Sequence, residues 1–262
     1  MSLEQLGLLR RRELEMILTS IRKMAPEHAR VLDIGAGVGW QAAVVKEAGY
    51  RVEAIDMPTS AYAGDRVFPI RDYDGRYIPF ADSEFDVVYS SNVLEHVAHF
   101  EDFQHEIRRV LKPTGIAIHI VPSGTWRFWS NVAHYPYMIK QGVKRLLGKR
   151  RPPPGQEISS PPWRAKRGAL SFLRRLLLPT RDGEFGNAWT EIYRFSRLRW
   201  HRDFVRAGWR IEQWQSNHLF YTSYYLMGTH LSISARGRVS RVLGGSCHFF
   251  LIRPQQTDAS DR

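Results

Sequence analysis

The sequence predicts an α/β fold built on a doubly wound parallel sheet. Three observations predict it. Short apolar or β-branched runs alternate with segments of helical spacing between residues 30 and 122. A glycine cluster, "VLDIGAGVGW" (31–40), marks the first passage from strand to helix. The alternation breaks after Pro122 and resumes near residue 197, so an insertion interrupts the sheet. A chain of 262 residues suffices for one large domain or one domain with a sizeable insertion.

The elements follow in order. Leu6, Leu9, Leu14, Ile17, Leu18 and Ile21 keep helical spacing and predict a helix over 3–24, stopped by Pro26. Val31 to Ile34 reads as a short buried strand, and a helix after the glycines runs to Ala48, closed by Gly49. "YRVEAID" (50–56) is a second strand, and "RVFPI" (66–70) a third, weakened by Pro69. "FDVVYSS" (85–91) is a fourth. Residues 92–111 read as a helix that "LKPTG" stops through Pro113 and Gly115. "IAIHIV" (116–121) is a fifth strand, and such βαβ units wind right-handed. Late in the chain, 197–208 is a helix ending at Gly208, while 209–215 and 247–253 are strands. The stretch 217–245 between them reads as a second, irregular insertion. The organisation is then an N-terminal helix and ligand-binding half (1–122), an aromatic-rich insertion or lid (123–195), a closing section (196–253) and a disordered tail (254–262).

Composition narrows the class. The one cysteine, Cys247, leaves no disulfide framework and no cysteine-based zinc site within the chain. The first 24 residues mix acids and arginines along a helical pattern, unlike a signal peptide, and no apolar run reaches the ~18 residues of a membrane span. A cytoplasmic location is expected. The net charge of +12 is concentrated: residues 140–210 hold 18 Lys and Arg against 5 Asp and Glu, and the remainder holds 20 against 21.

Glycines at a strand-to-helix turn let backbone approach a ligand, and the helix start favours an anionic group. A dinucleotide loop needs G-x-G-x-x-G, but Trp40 fills the sixth position. A P-loop is excluded because no G-K-[ST] follows. "DIGAGVG" (33–39) instead resembles the [DE]-x-G-x-G-x-G motif of the class I S-adenosylmethionine-dependent methyltransferases, matching at Asp33, Gly35, Gly37 and Gly39. "RDYDGRYIPFADSEFDVVYSSNVLEHV" (71–97) and "RRVLKPTGIAIHIVPS" (108–123) resemble two further stretches of that family. Tyr73 and Thr114 stand where many relatives have glycine.

The resemblance spans about residues 28–122. It implies a Rossmann-like sheet, mostly parallel with an antiparallel last strand; to this the chain's own charge and spacing add a basic helical insertion after strand 5. It implies S-adenosyl-L-methionine as cofactor and S-adenosyl-L-homocysteine as product. Asp33 falls near the ammonium group, and the backbone of Gly35, Ala36, Gly37 and Gly39 passes under the ligand. Asp56, with Met57 beside it, falls at the ribose diol. Asp74, Gly75 and Arg76 fall along the adenine edge, and Ser91 and Asn92 border the methyl group. A nicotinamide dinucleotide would also use an acid at Asp56 but leaves Asp33 and Trp40 unexplained.

Methyl transfer is an in-line displacement that depends on alignment, and a hydroxyl acceptor also calls for a base. The [DNS]-P-P-[YF] motif of base-amino methyltransferases is replaced by "SSNV" (90–93). Cys247 on a late strand lies far from the loop in the family topology, against C5-cytosine chemistry. His96 is a base candidate, with a histidine hydrogen-bonded under the sheet edge as the competing reading. His134 and Tyr135 in the insertion are the acceptor-side candidates, His218 and His230 are further ones, and His119 reads as core. A helical Glu95–His96 pair falls short of a metal site, so no metal is expected.

In the basic region, "PYMIKQGVKRLLGKRR" (136–151) sets Ile139, Val143, Leu146 and Leu147 on one helical face, and "ALSFLRRLLLP" (169–179) repeats the theme. Basic amphipathic helices suit an anionic membrane surface, here through residues 136–178. The same face could pack on the domain, and nucleic acid is a third reading. The expected function is O-methylation of a small-molecule, lipid-linked or glycan acceptor, peripheral on the inner face of the membrane. The alternatives are a catalytically silent, membrane-associated binding protein and an RNA methyltransferase.

Overall fold

The computed structural model describes residues 3–146, 178–223 and 231–255. Helix α1 (Leu3–Met24) precedes β1 (Arg30–Ile34), α2 (Trp40–Glu47), β2 (Arg51–Asp56), β3 (Arg71–Asp72) and β4 (Phe85–Ser91). Next come α3 (Phe100–Val110), β5 (Leu111–Pro122), α4 (Gly124–Leu146), α5 (Thr190–Arg194), α6 (Arg197–Arg206), β6 (Trp209–Ser216), α7 (Ile233–Leu243) and β7 (Cys247–Pro254). The seven strands form one sheet in the order β3-β2-β1-β4-β5-β7-β6. Pairing is parallel from β3 through β5, whereas β7 runs antiparallel to both β5 and β6. This is the doubly wound, Rossmann-like sheet with an antiparallel last strand.

Both faces of the sheet are covered, and strand alternation assigns each residue to one of them. Leu32 and Ile34 of β1 join Val88 of β4 and Phe250 of β7 against Phe103 and Ile107 of α3 and Phe204 of α6. Val31, Val87, Tyr89, Ile116 and Ile118 point the other way, onto Leu14, Ile17 and Ile21 of α1. Full burial of each such aliphatic or aromatic side chain contributes ~1.5–3 kcal/mol. The strands between the two layers are therefore over-determined, and their C-terminal ends are held in fixed relation.

Four boundaries differ from the sequence reading. Residues 66–70 are not a strand; the third strand is only Arg71–Asp72. Pro69 has no N–H for a ladder, and the Val67 amide donates instead to the Val38 carbonyl. The helix expected over 92–111 begins only at Phe100, after a single 3-10 turn, Leu94–His96. Asn92 sits at φ 56°, in the left-handed region, which a continuing helix cannot accept. The "LKPTG" segment ends the helix but belongs to β5, whose register against β4 jumps from Phe85↔Leu111 to Val87↔Ile116. The segment is a bulge, and Gly115 is required there because a Cβ would lie 2.7 Å from Leu111 Cγ. Finally, 217–245 is not irregular throughout, since it holds α7, capped by Ser232 accepting from Ala235 N.

Helix α4 follows directly on β5 and carries residues 136–146 of the expected basic helix. Residues 147–177, with the second basic amphipathic stretch up to Leu177, lie outside the described residues, as do His230 and the tail from 256. Within the described part the apolar face turns outward: Ile139 is 64% and Val143 48% exposed.

Candidate functional site

The site forms where β1, β2 and β4 end, beside the point at which strand order reverses, the usual ligand crevice of an open α/β sheet. Gly35, Gly37 and Gly39 all take positive φ (71°, 62° and 85°). Two of them are also needed for close approach. A Cβ on Gly35 would lie 2.3 Å from Val93 Cγ2, and one on Gly39 would lie 2.6 Å from Phe68 Cβ. The loop is held by its own backbone, with Gly35 N and Ala36 N donating to Ile55 O at 2.8 and 3.1 Å. Helix α2 opens at Trp40 with no side-chain cap and no acid in its first turn, leaving its first N–H groups to another acceptor.

Three carboxylates surround this loop. Asp56, at the end of β2, accepts from Gly37 N through Oδ2 (2.8 Å) and from Met57 N through Oδ1 (2.7 Å). Asp33 is buried within β1, and its Oδ2 has no hydrogen-bond partner among the described residues. Burial pushes its carboxyl up to about 7, the nearby Asp56 adds to that, and the Tyr89 hydroxyl pulls it back only in part. Asp74 is exposed, and its Oδ1 accepts from Arg76 N and Tyr77 N at 2.8 Å each. Those two bonds hold its carboxyl below the usual range. Asp74 thus caps the turn in which Gly75 stands at φ 80°, packed beneath Met57, where a Cβ would meet Sδ at 3.0 Å. Arg76 reaches the other way, with Nη2 3.0 Å from His99 Nε2. Tyr73, the departure from glycine, packs its ring on Phe103 at 6.5 Å between centroids.

Asn92 closes the β4 end. Its amide donates to Ile120 O (2.8 Å), and its Nδ2 donates to Ser91 Oγ (3.2 Å). Its Oδ1 lies 3.6 Å from Cys247 Sγ. Cys247 is therefore not remote: β7 inserts beside β5, which brings its first residue to the edge of the site. Burial raises the thiol well above its ordinary value, so it stays a neutral packing group. Behind it, Tyr221 Oη lies 3.0 Å from Sγ and donates to Glu13 Oε1 (2.9 Å), and Arg10 pairs with Glu13 Oε2 (2.7 Å). Sequence reasoning missed this buried chain. Its one signal was Glu13 at an apolar position of α1, between Leu9 and Ile17.

The remaining candidates separate. His96 lies in the 3-10 turn, half exposed and not tucked under the sheet edge, with Nε2 3.9 Å from Glu95 Oε1. His119 is core as expected: it is buried, 2.8 Å from Ser90 Oγ and stacked on Phe204, and burial pushes it down to about 3. His134 is buried and Tyr135 partly exposed, their rings in edge contact at 5.4 Å. They sit three turns into α4, ~15 Å along the helix from Gly124. His218, at φ 52°, lies on the loop after β6.

A second group, absent from the sequence reading, pins the 180–191 loop to the site. Arg127 of α4 and Glu191 of α5 form a buried ion pair at 2.9 Å. Glu191 also accepts from Asp182 N and Gly183 N, and Glu184 N donates to Glu95 O (2.9 Å). Beside it lies a cavity of about 160 Å³ lined by Leu94, Glu95, Phe100, Gly183, Phe195 and Trp200.

Residues 32–119 match the family model described as a methyltransferase domain. Over those residues the chain is similar to methyltransferase domains, and the sheet order agrees with that likeness. Over 133 residues the chain is 32% identical to the biotin biosynthesis bifunctional protein BioHC of Cellvibrio japonicus, covering 47% of this chain and 26% of that protein. Over 101 residues it is 36% identical to an uncharacterized methyltransferase of Mycobacterium sp. strain KMS, covering 36% of this chain and 38% of the relative. The chain thus spans well under half of these relatives. Among solved structures, it is similar to the Streptomyces coelicolor geranyl diphosphate C-methyltransferase in complex with Mg2+, geranyl diphosphate and S-adenosyl-L-homocysteine. The TM-score is 0.52 at 12% identity, with 95% of this chain and 81% of that one covered. At that identity the likeness shows the fold. The match ends before α4, so the loop 180–191 and its ion pair lie beyond it.

Proposed function

We propose that the chain is an S-adenosylmethionine-dependent methyltransferase. The observation that carries this is the pairing of the left-handed glycine loop with Asp33, whose buried Oδ2 lacks a partner. An orphaned buried carboxylate beside a backbone cradle fits the ammonium end of S-adenosylmethionine and itself offers a pyrophosphate no donor. When bound, that cofactor supplies a methyl group on a sulfonium for in-line displacement. In this reading Asp33 holds the ammonium, and the backbone from Gly35 to Gly39 passes under the methionine portion. Asp56 accepts from the ribose while fixing Gly37, and Met57 flanks it. The Asp74–Gly75–Arg76 turn borders the adenine. Ser91 and Asn92 border the reacting carbon, with Asn92 backed by Cys247, which Tyr221 contacts in turn. Calorimetric titration with S-adenosyl-L-homocysteine tests the reading: saturable one-to-one binding is expected, and no heat at millimolar ligand would refute it.

For the acceptor, the proposal is O-methylation of a lipid-linked small molecule or glycan at an anionic membrane surface. Its support is the outward face of α4, where Phe128, Val132, Tyr135, Ile139 and Val143 recur at spacings of three and four residues, all substantially exposed. Phe185, Trp189 and Tyr193 are exposed on the adjoining segment, and the 140–210 region carries the chain's excess positive charge. Aromatic side chains with an apolar body and a polar tip suit a membrane–water boundary. No described helix is long and apolar enough to cross a membrane. Vesicle flotation distinguishes the outcomes. Recovery with anionic vesicles alone is expected, and equal recovery from neutral and anionic vesicles would overturn electrostatic docking. His96, His134 and Tyr135 remain the proposed acceptor-side groups, tested by single substitutions once an acceptor is in hand.

A further inference from the structure

Two parts of the chain that the sequence keeps far apart meet at the 3-10 turn. The side chains of Glu95 and His96 come from that turn, and Asp182 comes from the loop before α5. One ligand atom from each lies within 4.8 Å of the others. The side chain of Glu95 is 2% exposed, and its Oε2 has no hydrogen-bond partner among the described residues. The ring of His96 and the carboxylate of Asp182 stand on the solvent side, so the cluster is closed beneath and open above.

The fold holds the third member in place. The Asp182 amide donates to both Glu191 oxygens, at 3.0 and 3.2 Å, and Glu191 is itself fixed by buried Arg127. On the other side, Glu184 N is bonded to Glu95 O. Gly183 between them leaves no room for a side chain, since a Cβ would stand 2.9 Å from Glu95 O. The loop is therefore clamped onto the turn on both sides of Asp182. Two carboxylates brought together at a buried edge repel when both are ionised, and a cation between them would relieve that repulsion. Among the described residues no Lys or Arg forms an ion pair with either, and the guanidinium of the clamp, Arg127, is spent on Glu191 and on the carbonyls of Thr180 and Ala188.

We propose that Glu95, His96 and Asp182 bind a divalent metal ion of the Mn2+ or Zn2+ class. One imidazole nitrogen with two carboxylates is a donor set for such borderline ions, and soft thiolate-seeking metals would not choose it. Three protein ligands leave coordination positions open toward solvent and the adjoining cavity, so water or an oxygen of a bound molecule completes the shell. The site lies outside the cofactor residues named above, and it stands whether or not the chain transfers methyl groups. The sequence expectation of no metal rested on Glu95 and His96 alone. The third ligand comes from beyond β5, where spacing carries no signal.

The test uses the full chain, freed of metal by chelator dialysis and titrated with MnCl2 and with ZnCl2 by calorimetry. Saturable one-to-one binding of at least one ion is expected, with Asp182→Asn and Glu95→Gln each weakening it about tenfold or more. Asp182→Asn changes an exposed side chain and leaves the backbone clamp intact, so it separates ligand loss from misfolding. Binding of S-adenosyl-L-homocysteine to the same samples reports the cofactor reading separately. Absence of saturable binding to the unsubstituted chain, or undiminished affinity in Asp182→Asn, would overturn the site.

Discussion

Asp56 Oδ2 accepts from Gly37 N at 2.8 Å, tying the end of β2 to the middle of the glycine loop. One carboxylate thus shapes the loop and keeps its remaining acceptor capacity for a ligand. Asp56→Ala is expected to weaken S-adenosyl-L-homocysteine binding by about 1.5–3 kcal/mol, the scale of a hydrogen bond to a charged group. Asp56→Asn, which keeps an acceptor for Gly37, should lose less. Calorimetry on both variants checks the order, and unchanged affinity in Asp56→Ala would remove the residue from the site.

Gly35 combines a φ of 71° with Val93 packed where its side chain would be. Gly35→Ala carries a backbone cost of ~1–2 kcal/mol for an L-residue in the left-handed region. The clash with Val93 adds to this. Urea unfolding should show a loss above about 2 kcal/mol. Gly35→Ala combined with Val93→Ala should return only the steric part, so full recovery would mean that the backbone conformation costs nothing.

The Arg127–Glu191 pair is almost completely buried, with side chains 4% and 0% exposed. Arg127→Met leaves the Glu191 charge without its partner, and a loss of about 3–5 kcal/mol is expected. Adding Glu191→Leu removes the stranded charge and should recover part of that stability in chemical denaturation. A double variant no better than the single would show that Glu191 acts chiefly through the amides of Asp182 and Gly183.

The carboxyl of Asp33 sits at about 7 in the folded chain, above its ordinary 3.8, chiefly through burial. A raised folded value means that its contribution to stability is complete below pH 4 and is lost as pH rises through 7. The stability of Asp33→Asn relative to the unsubstituted chain should therefore rise between pH 4 and pH 8, by up to about 4 kcal/mol. A ligand ammonium favours the ionised carboxylate. Binding of S-adenosyl-L-homocysteine at pH 6 should then release a proton, seen as a dependence of the calorimetric heat on the buffer's ionisation enthalpy. That dependence should vanish in Asp33→Asn.

Much of the sheet was legible because its strands are buried on both faces. Runs such as Val31–Ile34 and Phe85–Tyr89 are mostly apolar for that reason, and the helices between them show their stripes. The misread segments are those in which a single contact overrides local pattern. Residues 66–70 look like a strand, but the Val67 amide is drawn to Val38 O. Residues 92–99 look helical, but Asn92 is held at positive φ by its bond to Ile120 on the neighbouring strand.

The positions of the three glycines and three acids follow from the sequence by itself, because a strand-to-helix turn under a ligand demands those residue types at those spacings. So do the class of fold and the family that residues 28–122 resemble. Only the tertiary structure decided which distant groups share a space. It brought Cys247 to Asn92 through the placement of β7 between β5 and β6, and it set Glu13 under Tyr221. It carried Asp182 to Glu95 and His96 through an ion pair between α4 and α5. The physical reason is the same in each case. Turns and periodicity are local and leave a local trace, whereas a contact across the sheet is selected by packing and charge, which spacing along the chain does not record.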